Sequence, residues 1–186
     1  FRDLVPGEIV FVFIGYVNLK DPVTGTELFS VTKENIITHP LFGNASLLND
    51  IALVRLTQDI KLSNVIRTIC LATNGQIPFG GKAFAAGWGM KSASDTGITD
   101  ELHEVELDVL PQDECTNPQQ YICTFTPGKD TCNGDSGGPL MVQQGNQWYQ
   151  VGIISHGPMD CGIHNSPGVY TSVPNFIPFI TTYIYK

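Results

Sequence analysis

The chain has 186 residues, of which 42% are hydrophobic and 15% charged, and its formal net charge at pH 7 is −8. This composition is typical of a globular protein and excludes a disordered or fibrous one. The acidic balance argues against a nucleic acid or an anionic membrane as partner, because both attract clustered Lys and Arg. No segment reaches the ~18 consecutive apolar residues of a membrane span.

Short apolar or alternating segments recur along the chain between Gly, Pro, Asn and Asp residues, and this pattern predicts an all-β sandwich or barrel. The first segment, from Ile9 to Val17, has the composition of a buried strand. The other predicted strands lie, in chain order, in residues 28–37, 50–56, 81–89, 102–110, 147–155 and 168–173.

The segments between these strands contain the residues that favour turns. Residues 72–81 contain both Gly and Pro and are the predicted junction between two β units, residues 1–71 and residues 72–186. Only the tail, residues 174–186, has apolar side chains near helical spacing, which predicts a C-terminal helix.

The five cysteines show no paired C-x-x-C spacing, which argues against a zinc or redox site. Four of them can form two disulfide bonds, the pairing being left open, and the odd one suggests a missing partner. Asn44 begins a glycosylation acceptor tripeptide that has meaning only in a secreted protein, although so short a pattern also arises by chance. Glu27 lacks the supporting carboxylates of a calcium loop, so no metal and no cofactor is predicted.

One serine stands in an unusually constrained setting, since Ser136 is the centre of Gly-Asp-Ser-Gly-Gly at residues 134–138. A serine hydroxyl becomes a strong nucleophile only when a base removes its proton. The oxyanion formed in such a reaction needs backbone N–H donors, and flanking glycines allow the sharp turn that supplies them. Asp50, in Asn-Asp-Ile-Ala-Leu-Val-Arg-Leu, could orient a histidine base.

Three further segments accompany these two motifs: Gly-Trp-Gly at residues 87–89, residues 151–157 and residues 161–171. Taken together in their chain order, the five segments resemble the trypsin-like serine endopeptidases of the chymotrypsin family. The resemblance covers nearly the whole chain. It implies two antiparallel β-barrels with the active site in the cleft between them, followed by a C-terminal helix. This chain would hold an incomplete first barrel and essentially all of the second.

The resemblance also implies a role for individual residues. Ser136 would be the nucleophile, Asp50 the triad aspartate, and the backbone N–H groups of Gly134 and Ser136 the oxyanion hole. Asp135 would pair with the new α-amino group after zymogen cleavage. Asp130 would lie at the base of the primary specificity pocket, where a carboxylate selects an Arg or Lys side chain.

Further residues would shape the substrate site. Gly157 and Gly168 match pocket-wall positions that must be small, and the segment from Ser155 to Gly157 would pair with the substrate backbone. His156 stands where the family usually has a tryptophan.

The cysteines also fit this resemblance. The disulfide bonds that it implies are Cys115–Cys123 and Cys132–Cys161, and the segment inside the first is shorter than is usual in the family. Cys70 lies where chymotrypsin and the arthropod clip-domain proteases bond the catalytic domain to an N-terminal segment, which would account for the odd cysteine.

The base of the triad is missing from the sequence. The family histidine precedes the aspartate by some tens of residues in an Ala-Ala-His-Cys context, and none of the four histidines matches it. His39 is too close to Asp50, and His103 and His164 are expected to be surface residues. Because the first residues resemble the segment that directly follows the catalytic histidine, the chain is expected to be a fragment, or one chain of a cleaved protein, that is inactive alone.

The sequence therefore predicts a secreted endopeptidase, made as a zymogen and subject to protein inhibitors, that cleaves polypeptides after Arg or Lys through an acyl-enzyme on Ser136. Two alternatives remain open. One is a non-catalytic homologue that binds partners through the same cleft, and a catalytic-type histidine upstream of Phe1 would argue against it. The other is a cleaver of apolar sites, which a comparison of Arg and Phe ester substrates would separate.

Overall fold

A computed structural model describes residue 1 and residues 3–43, 46–158, 160–162 and 166–184. The chain divides into two compact units, Phe1–Thr68 and Ile69–Lys186. The strands of the described residues are β1 (Ile9–Ile14), β2 (Glu27–Thr32), β3 (Ile36–Thr38), β4 (Ala52–Val54), β5 (Cys70–Leu71), β6 (Lys82–Gly87), β7 (His103–Asp108), β8 (Tyr121–Thr124), β9 (Pro139–Gln144), β10 (Gln147–His156) and β11 (Gly168–Ser172), and helix α1 (Ile177–Ile184) follows them.

The first unit contains two antiparallel pairs, β1 with β2 and β3 with β4. Strand β1 alternates between exposed and half-buried positions, and Ile9, Phe11 and Phe13 on one face are 56%, 58% and 49% exposed. The prediction of a buried strand is therefore wrong for this face. The reason is that β1 pairs only with β2 among the described residues, which leaves these side chains open to solvent.

The second unit contains a seven-stranded sheet with the order β7-β6-β9-β10-β11-β8, and β5 pairs in parallel with β10. The other pairings are antiparallel. The amide of Leu110 donates to Cys123 O at 2.9 Å, and the amide of Phe125 donates to Asp108 O at 2.9 Å. Because these bonds join the end of β7 to β8, the sheet curls until its two edge strands meet, which leaves no long free edge there.

The core of the second unit forms because alternating apolar side chains of these strands point to the same side of the sheet. In β6, for example, Ala83 and Ala85 are buried while Phe84 between them is partly exposed. The buried cluster consists of Ala72, Ala83, Ala85, Leu107, Val109, Ile122, Leu140, Val142, Val151, Ile154 and Tyr170.

The predicted C-terminal helix is confirmed. A 3₁₀ turn, Val173–Phe176, leads directly into α1, and Pro174 is tolerated there because the first amides of a helix have no acceptor within it. Phe176 and Ile180 are buried and attach this tail to the unit. The predicted all-β class with one C-terminal helix is thus confirmed, and no helix of the described residues has the length and apolar character to cross a membrane.

Candidate active site

Ser136 lies at the exposed apex of the loop between β8 and β9. Gly134 and Gly137, at φ +98° and +86°, take backbone conformations that side-chain-bearing residues rarely adopt. The amide of Gly137 donates to Ile154 O at 2.8 Å, and the amide of Ile154 donates to Gly138 O at 2.9 Å. These bonds fix the loop to β10, so the serine hydroxyl is presented to solvent on a firmly held backbone.

Two backbone donors accompany the serine hydroxyl. Gly134 and Ser136 are both exposed, and no described residue accepts a hydrogen bond from either amide. Unpaired N–H groups next to a nucleophile are what the stabilisation of a developing oxyanion requires.

The carboxylate of Asp135 points into the protein, whereas the neighbouring Ser136 is exposed to solvent. Its Oδ1 accepts a hydrogen bond from the Gly89 amide at 2.8 Å, and its Oδ2 accepts one from the Cys132 amide at 2.9 Å. The backbone of Asp135 adds two turn bonds, to Cys132 O at 3.0 Å and from the Gly138 amide at 2.8 Å. The serine loop is thereby tied to the segment that follows β6.

Two glycines of that segment leave room for the Asp135 carboxylate. A Cβ at Gly87 would lie 2.0 Å from Asp135 Oδ1, and one at Gly89 would lie 2.4 Å from Asp135 Cγ. The sequence motif contained these glycines but did not show what they contact. Beside the carboxylate is a cavity of about 110 Å³, which Met90 and Thr131 also line; it has room for more than one water molecule.

Asp130 is half-buried and belongs to the same unit as Ser136. Its Oδ1 accepts a hydrogen bond from the Thr131 amide at 2.8 Å, and its Oδ2 accepts one from the Gly162 amide at 3.2 Å. Burial raises the pKa of the Asp130 carboxyl above its usual range, and the two amide donors offset only part of that effect.

The two small residues of the predicted pocket wall lie together against this carboxyl group. A Cβ at Gly168 would lie 3.0 Å from Asp130 Oδ1, and a Cβ at Gly157 would lie 3.6 Å from the Gly168 Cα. Any larger side chain at Gly168 would therefore fill the space in front of Asp130. The structure thus brings Asp130, Gly157 and Gly168 together.

Both disulfide bonds that the resemblance implies are present. Cys132–Cys161 joins the segment before Ser136 to the segment that contains Gly162, and so braces both sides of the Asp130 site. Cys115–Cys123 closes the short loop before β8.

A buried tyrosine at this site was not identified from the sequence. Tyr170 lies in β11, two residues after Gly168, and is fully buried. Its hydroxyl contacts Thr124 Oγ1 at 3.4 Å and Thr131 Oγ1 at 3.3 Å. Burial raises the pKa of Tyr170 to about 12, so the phenol stays neutral and supports the backbone beside Asp130. A tyrosine at the centre of a short predicted strand was the only available signal.

The segment from Ser155 to Gly157 ends β10. Its pairing with β11 shifts between Ile154 and His156, a bulge that turns Ser155 out of the regular ladder. The Ser155 hydroxyl lies 3.1 Å from His156 Nδ1, and the His156 ring packs edge-on against Tyr121, with ring centroids 5.5 Å apart. His156 is exposed, so its imidazole is open to solvent.

Asp50 lies in the first unit, half-buried and two residues before β4. Its neighbour Asn49 has φ +58°, and the amide of Ile51 donates to Asn49 O at 2.8 Å, which forms a tight turn at the strand entrance. His39 lies in the same unit, and its Nδ1 accepts a hydrogen bond from the Leu41 amide at 3.2 Å. Burial lowers the pKa of His39.

The remaining sequence predictions fall in different parts of the chain. Cys70 is an exposed free cysteine in β5, opposite Tyr149 of β10. Asn44 and His164 lie outside the described residues. Within the described ranges, no three His, Cys, Asp or Glu side chains lie close enough together to hold a metal ion.

Comparison with known proteins identifies the family. The sequence profile of the family described as Trypsin matches residues 7–180. CLIP domain-containing serine protease B4 of Anopheles gambiae is 38% identical over 168 residues, which cover 82% of this chain. Melanization protease 1 of Drosophila melanogaster is 36% identical over 168 residues, which cover 79% of it. The chain therefore belongs to the trypsin family of serine proteases, as its sequence predicted.

The matched regions also show how much of these relatives the chain represents. It spans 46% of the Anopheles protease and 41% of the Drosophila protease, less than half of each. Venom protease of Bombus pensylvanicus is 33% identical over 177 residues, which cover 89% of this chain and 72% of the relative. The similarity to arthropod clip-domain proteases agrees with the class that the sequence predicted.

The contact between Gly87 and Asp135 predicts an effect on stability. In Gly87→Ala, the new methyl group would displace the Asp135 carboxylate and break its bond to the Gly89 amide. We expect the free energy of unfolding to fall by about 1–3 kcal/mol, measured by urea unfolding monitored through tryptophan fluorescence. Gly97→Ala is the matched control, because a Cβ there meets nothing within 4 Å. Equal stability of the two variants would contradict the role given to this contact.

The raised pKa of Asp130 predicts a pH dependence of stability. A carboxyl with a higher pKa in the folded chain than in the unfolded chain binds its proton more tightly when folded. Its contribution to the free energy of unfolding is therefore fully present below the ordinary pKa of 3.8 and is lost as the pH rises through the folded value. Relative to Asp130→Asn, the wild type should lose stability over the acidic range above the ordinary pKa of 3.8. Urea unfolding across this range tests it, and a difference that rises with pH would contradict it.

Proposed function

We propose that the protein to which this chain belongs is a secreted serine endopeptidase that cleaves polypeptides after Arg or Lys. The observation that carries the proposal is the setting of Ser136. Its hydroxyl is exposed on a loop fixed by Ile154 and Asp135, and beside it stand the amides of Gly134 and Ser136, from which no described residue accepts a hydrogen bond. An ordinary turn serine does not need this combination of a braced loop and free N–H donors.

In the proposed reaction, the Ser136 Oγ attacks the carbonyl carbon of the scissile peptide bond while a histidine takes the hydroxyl proton. The amides of Gly134 and Ser136 stabilise the oxyanion, and the histidine returns the proton to the leaving amine, which leaves an acyl-enzyme on Ser136. Water then hydrolyses the ester by the same route. Asp50 would hold the histidine in its tautomer and stabilise the imidazolium.

The mechanism requires a histidine from outside the 186 residues, because none of the four in the sequence fits that role. The chain alone should accordingly be inactive, and all activity is proposed for the protein that also contains this histidine. The alternative is a non-catalytic homologue that only binds partners, and the Ser136→Ala experiment below distinguishes it from an active protease.

The proposed preference for Arg or Lys rests on Asp130. Its carboxyl is half-buried, and Gly157 and Gly168 leave the space in front of it unfilled. A carboxylate that loses hydration gains from a cationic partner, and a guanidinium can bond both of its oxygens at once. The Thr131 and Gly162 amides already hold these oxygens in place, so the site is ordered before a substrate arrives.

Zymogen activation is proposed to act on Asp135. Its carboxylate accepts bonds from neutral amides only, and a cavity of about 110 Å³ adjoins it. A new α-amino group in this cavity would give the carboxylate a charged partner. Because Asp135 is covalently next to both Gly134 and Ser136, that pairing would stabilise the backbone that forms the oxyanion hole.

Secretion and the partners of the protein are proposed from its cysteines, its proposed protease activity and Asn44. Two disulfide bonds are typical of proteins made in oxidising compartments. Cys70 is exposed and would bond an N-terminal segment of the protein. Polypeptides would bind as substrates and protein inhibitors as competitors, and Asn44 would carry a glycan.

The central test is Ser136→Ala in the complete, activated protein. Loss of the only nucleophile should lower kcat on an Arg ester substrate by about 10³-fold or more and abolish the burst of product that reports the acyl-enzyme. Ser94→Ala, at an exposed serine of another loop, is the matched control and should retain full activity. Unchanged activity of Ser136→Ala would refute the mechanism. A folded but inactive wild type would favour the binding homologue.

The specificity is tested by Asp130→Ser in the same protein. Removing the carboxylate should lower kcat/KM for an Arg ester by about 100- to 1,000-fold, the cost of leaving a buried cation without its partner. Activity on a Phe ester should fall much less. Asp113→Ser, at an exposed aspartate, should leave the Arg-to-Phe ratio unchanged. A wild-type preference for Phe would instead support the cleaver of apolar sites.

A further inference from the structure

The second unit has another cavity, of about 300 Å³, which contains none of the residues assigned to the Ser136 site. Its walls come from three chain segments: residues 74–79, residues 112–121 and residues 172–175. We propose that this cavity binds a neutral sugar residue. The proposal does not depend on the protease chemistry of Ser136.

The walls of this cavity are held in place without a ligand. The disulfide bond Cys115–Cys123 closes the second wall. The third wall is bonded to it twice, since Asn175 Nδ2 donates to Gln119 O at 2.9 Å and the Ser172 amide donates to Gln120 O at 2.9 Å. A site with fixed walls loses little conformational entropy when a ligand binds.

The first wall is fixed by its own turn. Within it, the amide and hydroxyl of Thr73 both donate to Gln76 Oε1, at 2.7 Å and 2.6 Å. This arrangement sets the position of Asn74 and of the following segment up to Phe79. All three walls are therefore preformed, which is the usual state of small-molecule sites.

The chemistry of the walls selects a neutral, hydrogen-bonding ligand. None of the described residues that line the cavity has a charged side chain, so an ionic ligand would lose hydration without gaining a partner there. Four carboxamides line it, and each of them offers both donors and acceptors, which match hydroxyl groups that do the same. These are Asn74, Gln112, Gln119 and Asn175.

Apolar surfaces complete the match to a sugar ring. Phe79 is 38% exposed at one wall, and the buried ring of Tyr121 lies among the lining residues with Ile77 and Pro118. Aromatic side chains give a rigid apolar face at low entropic cost, and the C–H face of a pyranose can pack on such a surface. A volume of about 300 Å³ is at the lower end of ligand pockets and suits one ring better than an extended peptide.

One buried hydroxyl is left without a partner at this cavity. Ser172 is 1% exposed, and its Oγ makes no hydrogen bond to any described residue. Buried polar atoms nearly always have a partner, so an unpaired one in a cavity wall points to a group that the cavity receives. A ligand hydroxyl, or a water carried with it, would supply the missing bond.

The test is an NMR titration of the isotope-labelled complete protein with the methyl glycosides of glucose, mannose and N-acetylglucosamine. At least one of them should give saturable shifts at the side-chain amides of the cavity, with a Kd in the millimolar range or tighter. Methyl glucuronide, which is charged, should bind at least about tenfold more weakly. Failure of all three neutral glycosides to saturate would overturn the proposal.

Two variants test whether the sugar binds in this cavity. Ser172→Ala should keep or raise the melting temperature, because the hydroxyl has no described partner, and should weaken binding about tenfold. The double variant Asn74→Ala, Gln112→Ala changes only exposed side chains and should weaken binding by at least as much. Gln143→Ala, at an exposed position of β9, should bind as the wild type does. Unchanged binding in the double variant would overturn the proposal, even if Ser172→Ala does not fold.

Discussion

The hydrogen bonds accepted by the Asp135 carboxylate organise the functional half of the second unit. They join two segments that are far apart in sequence, the Gly87 to Gly89 turn after β6 and the loop before β9. Gly87 and Gly89 have no side chain to obstruct the carboxylate. Gly134, directly before Asp135, has a positive φ that is strained for residues with a side chain. The conformation of the candidate nucleophile thus depends on a neighbouring acid that takes no direct part in the proposed bond cleavage.

Strand β10 connects this loop to the candidate specificity site. At Ile154 it exchanges backbone bonds with the serine loop, and two residues later it ends at His156. The next residue, Gly157, lies against Gly168, which lies against Asp130. The disulfide Cys132–Cys161 fixes the same two regions from the other side. Ser136 and Asp130 are therefore held by one strand and one covalent bond, so a substitution in either support would be felt at both residues.

Local patterns in the sequence were sufficient for most of the strands, the C-terminal helix and the Ser136 motif, whereas β5, β8 and β9 lie outside the predicted segments. The alternation of apolar residues in β7 and the glycines around Ser136 are short-range signals, and short-range signals are what one sequence contains. The exposure of β1 was missed because burial depends on which other strands cover a face, and composition alone cannot show that. The Tyr170 cluster and the cavity around Ser172 were missed for a related reason: each is built from residues of three or more segments that only the folded chain brings together.

The parallel pairing of β5 with β10 has a consequence for how the second unit folds. Cys70 and Tyr149 are partners in this pairing, so the start of the unit cannot find its place until most of the unit has been synthesised. The two disulfide bonds span only 8 and 29 residues and do not bring these strands together. Closing so long a loop costs chain entropy before the contact is gained, which makes such pairings slow. We expect β5 to join the sheet late, and the thiol at its first residue, Cys70, to remain open to solvent throughout that interval.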